Sequence, residues 1–194
     1  MKLNKIISCV VALCFMLTAI NVFAYVGETN SFEISSDDFE KNLYSLDKDE
    51  VIEVTKIFST SDPNIENKIT VTITKDAKAT DTVNFVAAGR YYFKSNDVTI
   101  SNYGIKGSAD YNGTSVFDYV YDVYHDVKPA YKSKYTGTAR KSTSSVTDGR
   151  EFKGKYKLKN TDTGNFADDA QITVLVKKDG YWKVSGNFDQ HVIN

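Results

Sequence analysis

Lys153, Lys155, Lys157 and Lys159 stand two residues apart, separated by Gly154, Tyr156 and Leu158. In an extended strand successive side chains point to opposite faces, so the four ammonium groups share one side at a spacing of roughly 6.7 Å. Such a row suits an anionic partner with repeated charge, such as teichoic acid, an acidic glycan or an anionic membrane surface. It is equally the mark of a plainly solvated strand face, or the device that keeps an outermost strand from pairing with a stranger, because lysines deter edge-to-edge contact.

The stretch that follows, 160–169, is rich in oxygen donors of the kind calcium takes, and Asn160, Asp162, Asp168 and Asp169 form the candidate metal set. Their spacing is not that of an EF-hand, where donors alternate before a glycine and end in a glutamate, which favours a solvated polar turn. Asp162-Thr163-Gly164 also spells the aspartic-protease signature. That chemistry needs two such loops sharing one proton between carboxylates. Here Lys159, Asn160 and Thr161 stand where a buried apolar strand should enter the loop, and no second copy occurs.

Other catalytic arrangements fail in the same way, and no catalytic residue is selected. The histidines are His125 and His191; the first sits on the same parity as Tyr121 and Val123 and reads as a strand residue with a local hydrogen bond. Gly113-Thr114-Ser115-Val116-Phe117 lacks the second glycine of a nucleophile elbow. Glycoside hydrolysis needs two carboxylates facing across a cleft, and acids are plentiful without any pair standing out. An extracellular carbohydrate-active enzyme is therefore the alternative to a binding protein. The 13 tyrosines, 11 phenylalanines and one tryptophan exceed what a core of this size must hold. Most belong to packing, and an exposed row would stack on sugar rings. A barrel lined by Tyr and Phe around a small apolar ligand is the further alternative.

The elements that must position these residues are strands. Ile69, Val71 and Ile73 alternate with Thr70, Thr72 and Thr74, and the same period of two recurs through Phe117, Tyr119, Tyr121 and Val123 and through Phe152, Tyr156 and Leu158. Asn112-Gly113 and Asp179-Gly180 separate such runs with the residue pairs that type I′ hairpins take, and Gly89 and Asp148-Gly149 read as similar punctuation. Nine or ten strands with no intervening helical pattern predict an all-β, mainly antiparallel β-sandwich, with an up-and-down β-barrel as runner-up and no parallel sheet. One short helix is expected at the start, where Ser36-Asp37-Asp38-Phe39-Glu40 supplies a cap and Phe39, Leu43 and Leu46 follow at helical spacing. The domain division is 1–24 leader, 25–49 acidic segment and 50–194 antiparallel β domain. Ile69-Thr70-Val71 followed by Lys75-Asp76 also echoes Ile172-Thr173-Val174 followed by Lys178-Asp179, as two hairpins under one alternation rule would.

The leader is read from Lys2 and Lys5 ahead of an apolar run from Ile6 to Ile20, closed by the small residues Val22 and Ala24 before the cut. Cleavage after Ala24 predicts a secreted, extracellular protein with no transmembrane segment left. Both cysteines, Cys9 and Cys14, lie in that leader, so the exported chain forms no disulfide and offers no thiol ligand. Export without disulfides, together with richness in Lys, Asn, Ile and Tyr, points to a Gram-positive bacterium. No cofactor is expected beyond calcium at the polar turn.

The formal net charge of −1 hides an uneven spread. Residues 25–66 carry eleven acids against Lys41, Lys48 and Lys56, whereas residues 128–160 carry ten bases against Asp148 and Glu151. Either the two stretches pair within the fold or the basic one faces an anionic partner, with self-pairing the first expectation. Nucleic acid is not the expected partner of an exported, nearly neutral chain. Gly180-Tyr181-Trp182 has the Gly-x-Trp spacing of lipocalins but falls in the last hairpin instead of the first strand, so no family is implied. The resulting expectation is a cell-surface binding module with its basic face toward an anionic cell-wall polymer or glycan.

Overall fold

The structure, a computed structural model, describes residues 19–25, 31–48, 50–60, 62–76, 81–163 and 167–190. The first sheet is ordered β1-β3-β4-β5-β6-β7, built from β1 (Ala19–Tyr25), β3 (Val51–Ser59), β4 (Ile65–Lys75), β5 (Thr82–Phe93), β6 (Val98–Tyr111) and β7 (Val116–Val127). The second sheet is ordered β2-β11-β10-β9-β8, built from β2 (Ser31–Ser35), β8 (Tyr135–Val146), β9 (Gly149–Asn160), β10 (Ala167–Lys177) and β11 (Trp182–Gln190). Each sheet is essentially a meander, with strands in chain order paired antiparallel. The sandwich expectation holds, and the barrel does not form: neither β7 with β8 nor β1 with β2 makes a ladder among the described residues.

Alternation produces the layers. Along β4, Ile65, Asn67, Ile69, Val71 and Ile73 are buried while Glu66, Lys68, Thr70 and Thr72 face outward. Aromatic rings then join the sheets: Phe85 stacks on Phe152 at 5.2 Å, Tyr103 lies 4.8 Å from Tyr156, and Phe58 lies 4.7 Å from Phe188. Each fully buried side chain of this size contributes about 1.5–3 kcal/mol relative to exposure. Strand β2 belongs to this core, since Phe32 and Ile34 are buried and the strand pairs with β11.

The short helix is a 3₁₀ turn, Ser36–Phe39. Asp38 accepts the Ser35 backbone N–H at 2.7 Å, as the cap pattern predicts, but Glu40 takes a left-handed φ of 53° and ends the turn. Leu43 and Leu46 still bury, because 40–50 crosses one end of the sandwich as a plug. Leu43 N–H donates to Gly180 O at 2.8 Å, and Trp182 Nε1 donates to Lys41 O at 3.2 Å. Inside the plug, Lys41 pairs with the buried Glu50 at 2.7 Å.

Two hairpins differ from the type I′ expectation. Residues 112–115 form a four-residue loop in which Asn112 Oδ1 accepts the N–H groups of Thr114 and Ser115, so that only Gly113 needs a positive φ, 78°. Gly180, with φ 82°, plays that part in the loop after β10. Gly89 is not a turn at all; it lies mid-strand in β5, registered with Tyr103. One parallel pair also occurs, because β1 runs alongside β3 from Ala19↔Val51 to Tyr25↔Ile57. The chain passes through the second sheet between these two strands and so returns in the same direction. The first eighteen residues of the expected leader lie outside the described residues, as does Gly164 of the protease-like string, and so does His191.

Candidate functional site

The lysine row lies on β9, and β9 is an interior strand, paired with β8 on one side and β10 on the other. The edge-protection reading is thereby corrected: both ladders of β9 are already satisfied, so no edge remains for its lysines to guard. Phe152, Gly154, Tyr156 and Leu158 face the core, and Tyr156 folds its ring back over Gly154, where a Cβ would overlap it. That inner packing fixes the parity that turns Lys153, Lys155, Lys157 and Lys159 outward; the last three are exposed and Lys153 is half-buried.

Cross-strand register widens the row into a field. Arg140 of β8 is directly opposite Lys155, with Thr138 opposite Lys157 and Thr136 opposite Lys159. On the other flank, Thr173, Gln171 and Asp169 of β10 are opposite Lys153, Lys155 and Lys157. Like charges directly opposite on neighbouring strands destabilise a sheet. Successive lysines roughly 6.7 Å apart add repulsion of about 0.6 kcal/mol per neighbouring pair in water. Lys153 is offset by Glu151, 2.6 Å away, and the hydrogen bond from Lys153, with another from Ser144, holds the Glu151 carboxyl below its usual range.

Self-pairing of the acidic and basic stretches is not seen in the ion pairs found among the described residues. The ion pairs among the described residues are Lys41–Glu50, Arg90–Asp97, Lys94–Glu66, Lys153–Glu151, Lys178–Asp148 and Lys183–Glu33, and none joins 25–66 to 128–160. The sheet order explains why. Strand β2, carrying Glu33, is at the opposite edge of the second sheet from β8, and most other acids of 25–66 lie in the plug and the first sheet.

The oxygen-rich turn is organised by its own backbone. Asn160 Oδ1 accepts the N–H groups of Asp162 at 2.9 Å and Thr163 at 3.4 Å, and Asp162 is exposed. Asp168 and Asp169 occupy consecutive positions of β10 opposite Leu158 and Lys157, with side chains outside the described residues. Among the described residues no group of three or more His, Cys, Asp or Glu is placed to hold a metal ion.

His125 sits in the seam where β7 packs against β8. Nδ1 is 3.1 Å from Thr138 O and Nε2 is 3.3 Å from the Ser101 hydroxyl, with Tyr103 and Tyr156 around the ring. Burial pushes the imidazole pKa below its ordinary 6.5 against the opposing effects of Thr138 O and Asp126. Ser101 is itself fully buried, so this Ser–His contact has no route to a substrate.

Several grooves open on the outer faces. One, of about 390 Å³, is lined by Lys68, Thr70, Ala88, Gly89, Arg90, Asn102 and Tyr124. Others lie beside Glu33 and Gln171, beside Val120 and Asp122, and beside His125 and Asp126, each with a single carboxylate. The carboxylate pair that glycoside hydrolysis requires is not found in any of these four. Arg140 and the Lys68–Tyr124 groove are features that alternation alone did not select, since both need cross-strand register. Comparison with protein-family models, curated proteins and solved structures finds no match for this chain.

Proposed function

We propose that this protein is an exported, non-enzymatic binding module whose second sheet holds an anionic cell-wall polymer or glycan against its outer face. The observation that carries the reading is the juxtaposition of Arg140, on the edge strand β8, with Lys155, on the interior strand β9, flanked by Lys153, Lys157 and Lys159. An edge role does not account for the four lysines of β9, and none of the ion pairs seen among the described residues ties the basic face to the acidic stretch. A polymer with repeated negative charge would relieve their mutual repulsion, and Thr138, Thr173 and Gln171 offer hydrogen-bonding partners beside them. Removal of residues 1–24 would take all of β1 but Tyr25, making β3 the edge of the first sheet, while β2 begins beyond the cut at Ser31.

The test uses protein collected from the medium of cells exporting the full chain, mixed with isolated cell walls and with acidic and neutral glycans. Binding to the acidic materials should weaken at least tenfold as salt shortens the screening length from about 10 Å at 0.1 M toward 3 Å at 1 M. Changing Lys153, Lys155, Lys157 and Lys159 together to glutamine should remove it. Binding that survives both treatments, or no binding to any acidic material, overturns the reading.

A further inference from the structure

We infer that the outer face of the first sheet carries a second, separate site, a groove that binds a hexuronic acid unit of a glycan. It does not rest on the basic face, which lies on the other sheet.

The groove follows from two cross-strand rows. Thr70, Ala88, Gly104 and Tyr124 are registered across β4, β5, β6 and β7, and so are Lys68, Arg90, Asn102 and Asp126 in the adjacent row. The first row is low in the middle because Ala88 and Gly104 carry almost no side chain. Tyr124 lies down into that space: a Cβ on Gly104 would be 2.8 Å from Tyr124 Oη and 3.0 Å from Cζ. The result is an aromatic ring resting on a shallow floor that spans three strand spacings, roughly 14 Å. Its volume of about 390 Å³ falls in the range of small-ligand sites.

The lining sets the ligand class. A half-exposed tyrosine ring suits the C–H patch of a pyranose, the Asn102 amide is placed for sugar hydroxyls, and the Thr70 hydroxyl, 3.0 Å from Thr55 Oγ1, keeps capacity for a further hydrogen bond. The positive charge is confined to one end. Arg90 is held there by Asp97 and by Thr99 Oγ1 at 3.3 Å and lies over the Tyr92 ring at 4.5 Å. Lys68, directly opposite Arg90, makes no ion pair among the described residues. Asp126 stands at the far end, next to Asn102. A ligand that spans the floor therefore orients with one negative group toward Lys68 and Arg90 and a separate, uncharged ring on Tyr124, beside Asp126. A short glycan with one acidic unit at the Lys68 end and a neutral unit on Tyr124 has that distribution.

Titration calorimetry of the exported protein with an acidic trimer, a galactose trisaccharide in which one terminal unit is galacturonic acid, and with the matching neutral galactose trimer tests this. The acidic trimer should bind saturably and about tenfold more tightly than the neutral one, the effect of roughly 1.4 kcal/mol. Tyr124→Ala should weaken it about tenfold or more while Tyr124→Phe, which keeps the ring, changes it little. Lys68→Gln should erase the preference for the acid. The variant with Lys153, Lys155, Lys157 and Lys159 changed to glutamine should bind the trimer as the unaltered protein does, whatever becomes of polymer binding. No saturable binding of the acidic trimer, unchanged affinity in Tyr124→Ala or Lys68→Gln, or loss of the trimer in the quadruple variant overturns the inference.

Discussion

Tyr103 of β6 lies across the ladder on Gly89 of β5, its partner in register, so closely that a Cβ built at Gly89 would overlap the ring. Glycine in a strand interior normally weakens it, and the usual reason for one is a close approach of this kind. Here the missing side chain makes room for a ring that also stacks on Tyr91 at 5.1 Å and reaches Tyr156 across the sandwich at 4.8 Å.

Gly89→Ala should therefore destabilise the protein by about 1–3 kcal/mol, the cost of forcing extra volume into a packed core. Ala88→Ser, one residue along on the outer face, should stay within about 0.5 kcal/mol. Urea unfolding of the two variants separates a ring displaced at Gly89 from a general intolerance of β5.

The Tyr103 hydroxyl donates to Asn67 Oδ1 at 2.8 Å, and both residues are buried. Asn67 Nδ2 has no hydrogen-bond partner. Asn67→Leu removes the acceptor of this bond and should cost about 1–3 kcal/mol, the penalty for breaking a buried polar pair on one side. Adding Tyr103→Phe removes the donor as well, so the double variant should recover part of the loss. A double variant less stable than Asn67→Leu alone would show that the pair is not the reason for the cost.

The sandwich was legible because alternation is local: Ile69 to Thr74 and Phe152 to Lys159 declare their faces within a few residues. Gly89 misled, since a glycine in a β-like run looks the same whether it turns the chain or admits a ring from another strand. Leu43 and Leu46 misled in a related way. Their spacing is helical, but their burial comes from the plug's contacts with Gly180 and Trp182, far away in sequence. Arg140 was closer to reach. Once Thr147 and Asp148 form the two-residue connection between β8 and β9, the register Val146↔Gly149 carries through to Arg140↔Lys155. The Lys68–Tyr124 groove needs four strands in register at once, which a single chain's alternation does not supply.

Acid should loosen the β7–β8 seam. Burial lowers the His125 pKa in the folded state, while the unfolded chain keeps a value near 6.5. Below about 6.5 the unfolded state then binds a proton that the folded state refuses, so stability falls with falling pH until the depressed folded pKa is passed, and is unaffected above. The groups facing the ring are Thr138 O, the Ser101 hydroxyl, Tyr103, Tyr156 and Asp126. His125→Gln removes the titration, so melting temperatures followed from pH 7.5 downward, values chosen to bracket the ordinary histidine range, should diverge below about 6.5, with the variant flatter. Parallel curves for the two proteins would place the acid sensitivity on the carboxylates instead.

Arg140 opposite Lys155 is an arrangement that folding alone would not favour. Lys155→Glu converts two like charges into a cross-strand ion pair. It should raise stability by about 0.2–1 kcal/mol, with the gain shrinking as salt is added. The same change puts a negative charge into the middle of the basic face, so binding to acidic polymers should fall more than it does for Lys155→Gln, which only removes a charge. Unfolding and polymer binding measured on these two variants thus respond in opposite directions if the row is kept for a partner. If Lys155→Glu is more stable and binds as well as the unaltered protein, the charges at this position serve neither the fold nor the polymer.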